Sequence, residues 1–261
     1  MKKPLIDIIF ASGKRKNVLL LLNNGPKEMS TLLTHLKTNR PALLPQIRIL
    51  EDHHLITQAD DIYQLTIIGK LLVDEIEPLL NTIAVLDIDI DYWGTRRLDF
   101  LPRDLLERIN ELADCEITEP SSMDLHDINH EFHDKTFESR SASFICRFLY
   151  PNFDALLAKW IEEKVNISMI VDNELLERIR ENHANEFKYL INSGCAKLYL
   201  YPEEIGLMKF AQNDYCIMLM LFNKKLGYDN KTLLIRNQES LEWGRELFEH
   251  YKQRSTIINN I

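Results

Sequence analysis

The sequence predicts an α+β protein in three parts, and three observations support that division. Residues 17–73 run as two short helices, a third helix, a small hairpin and a Leu65-Thr66-Ile67-Ile68-Gly69 step into another helix. That order reads as a winged helix-turn-helix. From Cys115 onward, short β-prone runs alternate with amphipathic helices, the pattern of an α/β domain with a mixed sheet. Charge is split in the same way: residues 1–70 hold ten Lys and Arg against six Asp and Glu, whereas the whole chain carries −9. The expected boundaries are 1–75 for the winged helix, 76–114 for a helical linker with a dimerising role, and 115–261 for an α/β regulatory domain.

The first helix carries Val18, Leu19, Leu21 and Leu22 after the break at Ser12-Gly13, and Asn23-Asn24-Gly25-Pro26 stops it. The second repeats Leu32, Leu33 and Leu36 at helical spacing. Thr38-Asn39-Arg40-Pro41 turns the chain, with Asn39 as a cap. The third helix, expected to start near Pro41 or Ala42, buries Leu43, Ile47 and Leu50. Pro45 is then placed within its first turn, where the missing N–H removes no helical bond. Leu55–Thr57 and Ile62–Leu65 flank Ala59-Asp60-Asp61 as a hairpin, and Thr66 caps a helix from Ile67 to about Ile83.

With Leu43, Ile47 and Leu50 inward, the sequence points Ala42, Gln46 and Ile49 away from the core. Gln46 is expected to read a base edge, preferably adenine. Arg40 and Arg48 flank the same groove. Lys14, Arg15 and Lys16, with Lys37 and Asn39, are expected at backbone phosphates. Double-stranded DNA is therefore the expected partner, alongside a second copy of the chain and a small-molecule effector. The competing reading is a protein-interaction module, which the acidic pair Asp60-Asp61 at the wing tip favours.

The body is read as successive elements: a helix at Pro102–Leu112, another at Asp124–Phe137, then strands and helices alternating to a closing helix at Leu241–Tyr251. Lys224–Asn230 is expected to turn between antiparallel strands. Trp160, Tyr199, Tyr201, Phe210 and Trp243 are candidates for an effector pocket, although core packing explains aromatic residues equally well. Asp172 reads as a helix cap.

Several resemblances attach to these residues. Leu50-Glu51-Asp52 to Leu55, with Tyr63-x-Leu65-Thr66-x-x-Gly69, resembles the winged-helix head of archaeal transcriptional regulators. Ser168-Met169-Ile170-Val171, Leu198–Tyr201 and above all Ser240-Leu241-Glu242-Trp243-Gly244 resemble the methanogenesis-regulator type, over nearly the whole chain. The body is also similar to the phospholipase-D-like, non-catalytic domain of some archaeal sugar-responsive regulators. The resemblance implies a DNA-binding head, a helical connection and an α/β domain, without a set of functional residues to carry over.

Enzymatic function is not expected. A phospholipase-D site needs His-x-Lys-x4-Asp. The closest approach, His133-x-Lys135, has Arg140 at the Asp position. No phosphate-binding glycine loop or nucleophile elbow is present. No cofactor is expected. His126, His130 and His133, four and three residues apart, form the one candidate metal set, supporting a metal-responsive regulator as an alternative; a solvated helix face is the plainer reading. The four cysteines lack a Cys-x-x-Cys pair and read as reduced core thiols. With no apolar run near twenty residues and no secretory leader, a cytoplasmic location is expected.

Overall fold

The computed structural model describes residues 3–119, 129–151, 153–225, 227, 229 and 231–261. The chain divides into two compact units, Met1–Leu80 and Asn81–Ile261.

The first unit opens with α1 (Leu5–Phe10) and α2 (Gly13–Asn23). Ser12 caps α2, its side chain accepting from Arg15 N. Then come β1 (Lys27–Glu28), α3 (Met29–His35) and α4 (Arg40–Asp52). Asn39 caps α4 by accepting from Ala42 N at 3.0 Å. The hairpin β2 (Ile56–Ala59) and β3 (Ile62–Leu65) follows, and α5 (Ile67–Asp87) leaves it. β1 joins the hairpin to give a three-stranded sheet in the order β1-β3-β2. Ala59 pairs with Ile62, so Asp60 and Asp61 are the whole loop. Both have positive φ, 52° and 62°, the backbone of a type I′ turn that Asp tolerates without glycine.

The core of this unit is Val18, Leu19, Leu22, Leu32, Leu43, Ile47, Leu50, Leu55, Tyr63 and their neighbours. Each such aliphatic burial contributes about 1.5–3 kcal/mol. Gly69 is required where α5 crosses the wing: a Cβ there would lie 1.9 Å from the Leu55 carbonyl oxygen. Thr66 caps this junction, its hydroxyl accepting from Gly69 N at 3.0 Å.

Helix α4 begins at Arg40, earlier than expected, and this changes the reading of Pro45. Pro45 lies in the second turn, where its missing N–H leaves the Pro41 carbonyl without its helical donor. Pro45 is exposed, so that carbonyl can turn to water.

The second unit contains α6 (Ile90–Thr95), α7 (Arg103–Glu107), a 3₁₀ turn at Ile109–Leu112, and β4 (Glu116–Thr118). Next are α8 (His130–Phe137), β5 (Ser141–Cys146), α9 (Phe153–Glu162) and β6 (Asn166–Val171). Then follow α10 (Asn173–Asn182), α11 (Ala184–Asn192), β7 (Ala196–Leu200), β8 (Lys209–Gln212) and β9 (Ile217–Met220). β10 (Thr232–Ile235), α12 (Gln238–Lys252) and β11 (Thr256–Ile258) end the chain. Eight strands form one mixed sheet, β11-β7-β6-β5-β8-β9-β10-β4, with β5, β6 and β7 parallel and the other pairs antiparallel.

Both faces of this sheet are buried, and successive residues alternate between them. Phe144, Cys146, Met169, Val171, Ala211 and Met218 face the layer built by α8 to α11. Ile145, Ile170, Phe210, Ile217 and Leu219 face the layer that holds Trp243, Leu247 and Tyr251 of α12.

Within 76–114, expected to be a linker, Val85, Tyr92, Trp93, Leu105, Ile109 and Leu112 belong to that second layer. Two long-range hydrogen bonds fasten the segment, Trp243 Nε1 to the Leu105 carbonyl (2.9 Å) and Tyr251 Oη to the Phe100 carbonyl (3.1 Å), while Trp93 Nε1 to the Val85 carbonyl (2.8 Å) braces it internally. Helix α5 also runs through Pro78 to Asp87, past the expected end. Among the described residues no helix is long and apolar enough to cross a membrane.

Candidate nucleic-acid interface

Helix α4 presents its solvent side through Pro41, Pro45, Arg48 and Asp52, all exposed and spaced four, three and four. Ala42, Gln46 and Ile49, expected to point outward, are only partly exposed. The reason is helical spacing: Gln46 lies three residues after Leu43 and four before Leu50, and so flanks the buried stripe. Arg48 is the one basic residue on the outward ridge, and among the described residues it makes no hydrogen bond or ion pair.

The other expected contacts are held within the unit to different degrees. Arg15 Nη1 donates to Gln46 Oε1 at 2.8 Å, joining α2 to α4. The same guanidinium donates through Nε to the Ile8 carbonyl, and it is half-buried. Arg15 is thus a clamp between three helices that also fixes the Gln46 amide. Arg40 Nη2 pairs with Asp61 Oδ1 at 2.9 Å, tying the entrance of α4 to the wing tip. Both partners are about half exposed, so the pair contributes about 1 kcal/mol or less. Asp61, after burial itself, is the main influence raising the Tyr63 phenol pKa. Asn39 spends its side-chain oxygen on capping.

Lys14 and Lys16 stand in the first turn of α2, Lys14 exposed and Lys16 partly so. Lys37 is exposed between α3 and α4 with a left-handed φ of 45°. The structure therefore brings Arg15 to Gln46, leaves Lys14, Lys37 and Arg48 at the surface, and turns Arg40 toward the wing.

In the second unit the five aromatic candidates do not converge. Trp160 lies in the layer under α9, whereas Tyr201, Phe210 and Trp243 are core on the opposite face of the sheet, with Tyr199 packed against them. Asp172 caps α10, accepting from Leu175 N at 2.9 Å, and also pairs with Arg147 at 3.1 Å.

Of the expected histidine face, His130 and His133 do not share a solvent-exposed side. His126 lies outside the described residues. His130 is exposed, but His133 is 1 % exposed, edge-on to Phe132 and Tyr150 and stacked near Trp160. Phe132, His133 and Thr136 turn that side of α8 inward. Among the described residues no three His, Cys, Asp or Glu are placed to hold a metal ion. Cys115, Cys146 and Cys216 are buried thiols, while Cys195 is partly exposed.

One residue pattern escaped the sequence reading. Leu207-x-Lys209-x4-Asp214 has the phospholipase-D spacing with leucine in the nucleophile's place. Its lysine begins β8, and Asp214 accepts from Arg140 N at 2.8 Å at the start of β5. Searching the spacing with a degenerate first position would have found it.

Comparison with known proteins fits this architecture. Residues 4–84 match the N-terminal domain of methanogenesis regulatory protein FilR1, and residues 125–254 match its middle domain. The methanogenesis regulatory protein FilR1 of Methanothrix harundinacea (strain 6Ac) is 25% identical over 257 residues, spanning 96% of this chain. The chain corresponds to 57% of that relative's length. Among solved structures, the archaeal chromatin protein TrmBL2, reported to show a novel mode of DNA binding, gives a TM-score of 0.44 at 13% identity, over 95% of this chain and 94% of its own. The phospholipase D family member Nuc from Salmonella typhimurium gives 0.40 at 17% identity, over 56% of this chain and 100% of its own. With both domain descriptions matched in order and together spanning most of its length, the chain belongs to the FilR1 family of methanogenesis regulatory proteins.

Proposed function

We propose that the chain is a cytoplasmic, DNA-binding transcriptional regulator. In this reading α4 enters the major groove with Arg48 foremost, while Lys14, Lys16 and Lys37 meet backbone phosphates and the α/β unit senses an effector. The observation that carries it is the free Arg48 on the outward ridge of a helix-turn-helix, in the positively charged end of an otherwise acidic chain. Membership in a family of regulatory proteins supports it. Gln46 reads a base only if the Arg15 contact opens, so it is secondary to Arg48.

A second copy of the chain completes the proposal. Helix α5 exposes Ile67, Leu71, Leu79 and Ile83, four, eight and four residues apart along a row that winds around the helix. Dimerisation along this row would present two recognition helices to half-sites about one DNA turn apart.

Fluorescence anisotropy with labelled genomic duplexes at two salt concentrations tests the reading. Affinity should fall with added salt, and Arg48→Ala combined with Lys14→Ala should weaken binding and flatten the slope by about one unit per lost phosphate contact. Affinity indifferent to salt and to both substitutions would instead support a protein-interaction module, the reading that Asp60 and Asp61 favour.

A further inference from the structure

Beneath α9, on the face of the sheet away from α12, lies a pocket that the DNA reading does not use. Its walls include Phe144, Phe148, Tyr150, Phe153 and Trp160, and the polar group at its base is Lys209. The pocket encloses about 230 Å³ of atom-free space including its mouth, and its closed part has room for a group the size of a water molecule.

Lys209 is 4 % exposed, on β8 directly opposite Cys146 of β5. Its ammonium lies 3.9 Å from the Tyr150 ring centroid, 5.6 Å from that of Phe148 and 5.8 Å from that of Phe144. Among the described residues no carboxylate or hydrogen-bond acceptor reaches it. Aromatic faces offset only part of the cost of burying a cation. Burial pulls its pKa down to about 8, so at neutral pH the group is still mostly charged. A second observation comes from a neighbouring donor. Trp160 Nε1, whose residue lines the pocket, is buried without a hydrogen-bond partner. Buried polar groups are nearly always paired, so this N–H marks a place where something accepts from it.

We propose that this pocket binds a small organic carboxylate, its anionic group directed at Lys209 and its apolar body at the mouth, against Phe148 and Tyr150. A single free cation matches one negative charge. The neighbouring Arg147 is already engaged by Asp172, Glu174 and Glu204, leaving no second cation for a phosphate dianion. The closed end holds only a water-sized group, so the apolar part lies at the mouth beside Phe148 and Leu149. Binding itself stands independently of DNA; the ligand's role as effector rests on the regulator reading.

Calorimetric titration of the full chain with benzoate, in the absence of DNA, tests this site. Benzoate should bind one to one, with benzamide and inorganic phosphate at least tenfold weaker. Lys209→Met and Lys209→Gln, each shown to be folded by its thermal transition, should each weaken benzoate at least tenfold. Benzamide matching benzoate, phosphate exceeding it, undiminished binding by both variants, or no benzoate binding at millimolar concentration would overturn the proposal. Because no DNA is present, such failure leaves the DNA reading intact, and lost DNA binding leaves this site intact.

Discussion

Arg40 at the start of α4 and Asp61 at the tip of the wing are joined by a 2.9 Å ion pair. The pair places a carboxylate beside a guanidinium that, in the proposed reading, would otherwise meet phosphate. Asp61→Asn should free Arg40 and remove a negative charge from the side proposed to face DNA. The expected outcome is an affinity for duplex DNA raised by about fivefold at low salt, with a smaller gain at high salt. Anisotropy titrations at two salt concentrations check it; unchanged affinity would place Arg40 and the wing tip away from DNA.

Gly69 admits no side chain, since a Cβ would meet the Leu55 carbonyl oxygen at 1.9 Å. Gly69→Ala must therefore push the hairpin and α5 apart. A loss of about 1–3 kcal/mol is expected in the unfolding of the first unit. Chemical denaturation of residues 1–80 followed by far-UV circular dichroism would measure it, and a wild-type midpoint would contradict the geometry.

His133 gives the body an acid sensitivity. Burial, then the Lys209 charge, hold its pKa well below the usual value of 6.5. Below pH 6.5 the unfolded chain takes up a proton that the folded chain refuses, so stability falls as pH falls. His133→Leu should flatten that decline in thermal melts between pH 6.5 and 5. An equally steep decline in the variant would assign the effect to other groups.

Lys209 acts at the opposite end of the scale. Its folded pKa is about 8 against a usual value of 10.5. Above pH 8 the unfolded chain therefore holds more protons, and stability should rise with pH. The buried thiols Cys115, Cys146 and Cys216, raised from 9.0 to about 11, pull the other way above pH 9. The difference between wild type and Lys209→Met isolates the lysine: the variant should melt higher at pH 7, and its advantage should shrink by pH 9. A constant difference across that range would show that Lys209 is not buried as described.

The first unit was legible because its punctuation is local. Asn39 and Thr66 cap helices as their positions suggest, and Leu43, Ile47 and Leu50 repeat at helical spacing. The packing of the segment from Val85 to Leu112 is not legible locally, because what fastens it is distant. Trp243 and Tyr251 reach carbonyls of Leu105 and Phe100 more than a hundred residues earlier. Strand β8 was missed because Lys209 and Gln212 are polar yet buried, so no alternation marks it. The Arg15 contact to the Gln46 amide is not legible in sequence because only the tertiary structure brings α2 and α4 together.

The proposed site on Lys209 has a consequence for time rather than for affinity. An occupant held there by one ion contact and by aromatic packing would exchange freely with its surroundings, and the fraction filled would follow the surrounding concentration. That is the behaviour of a gauge.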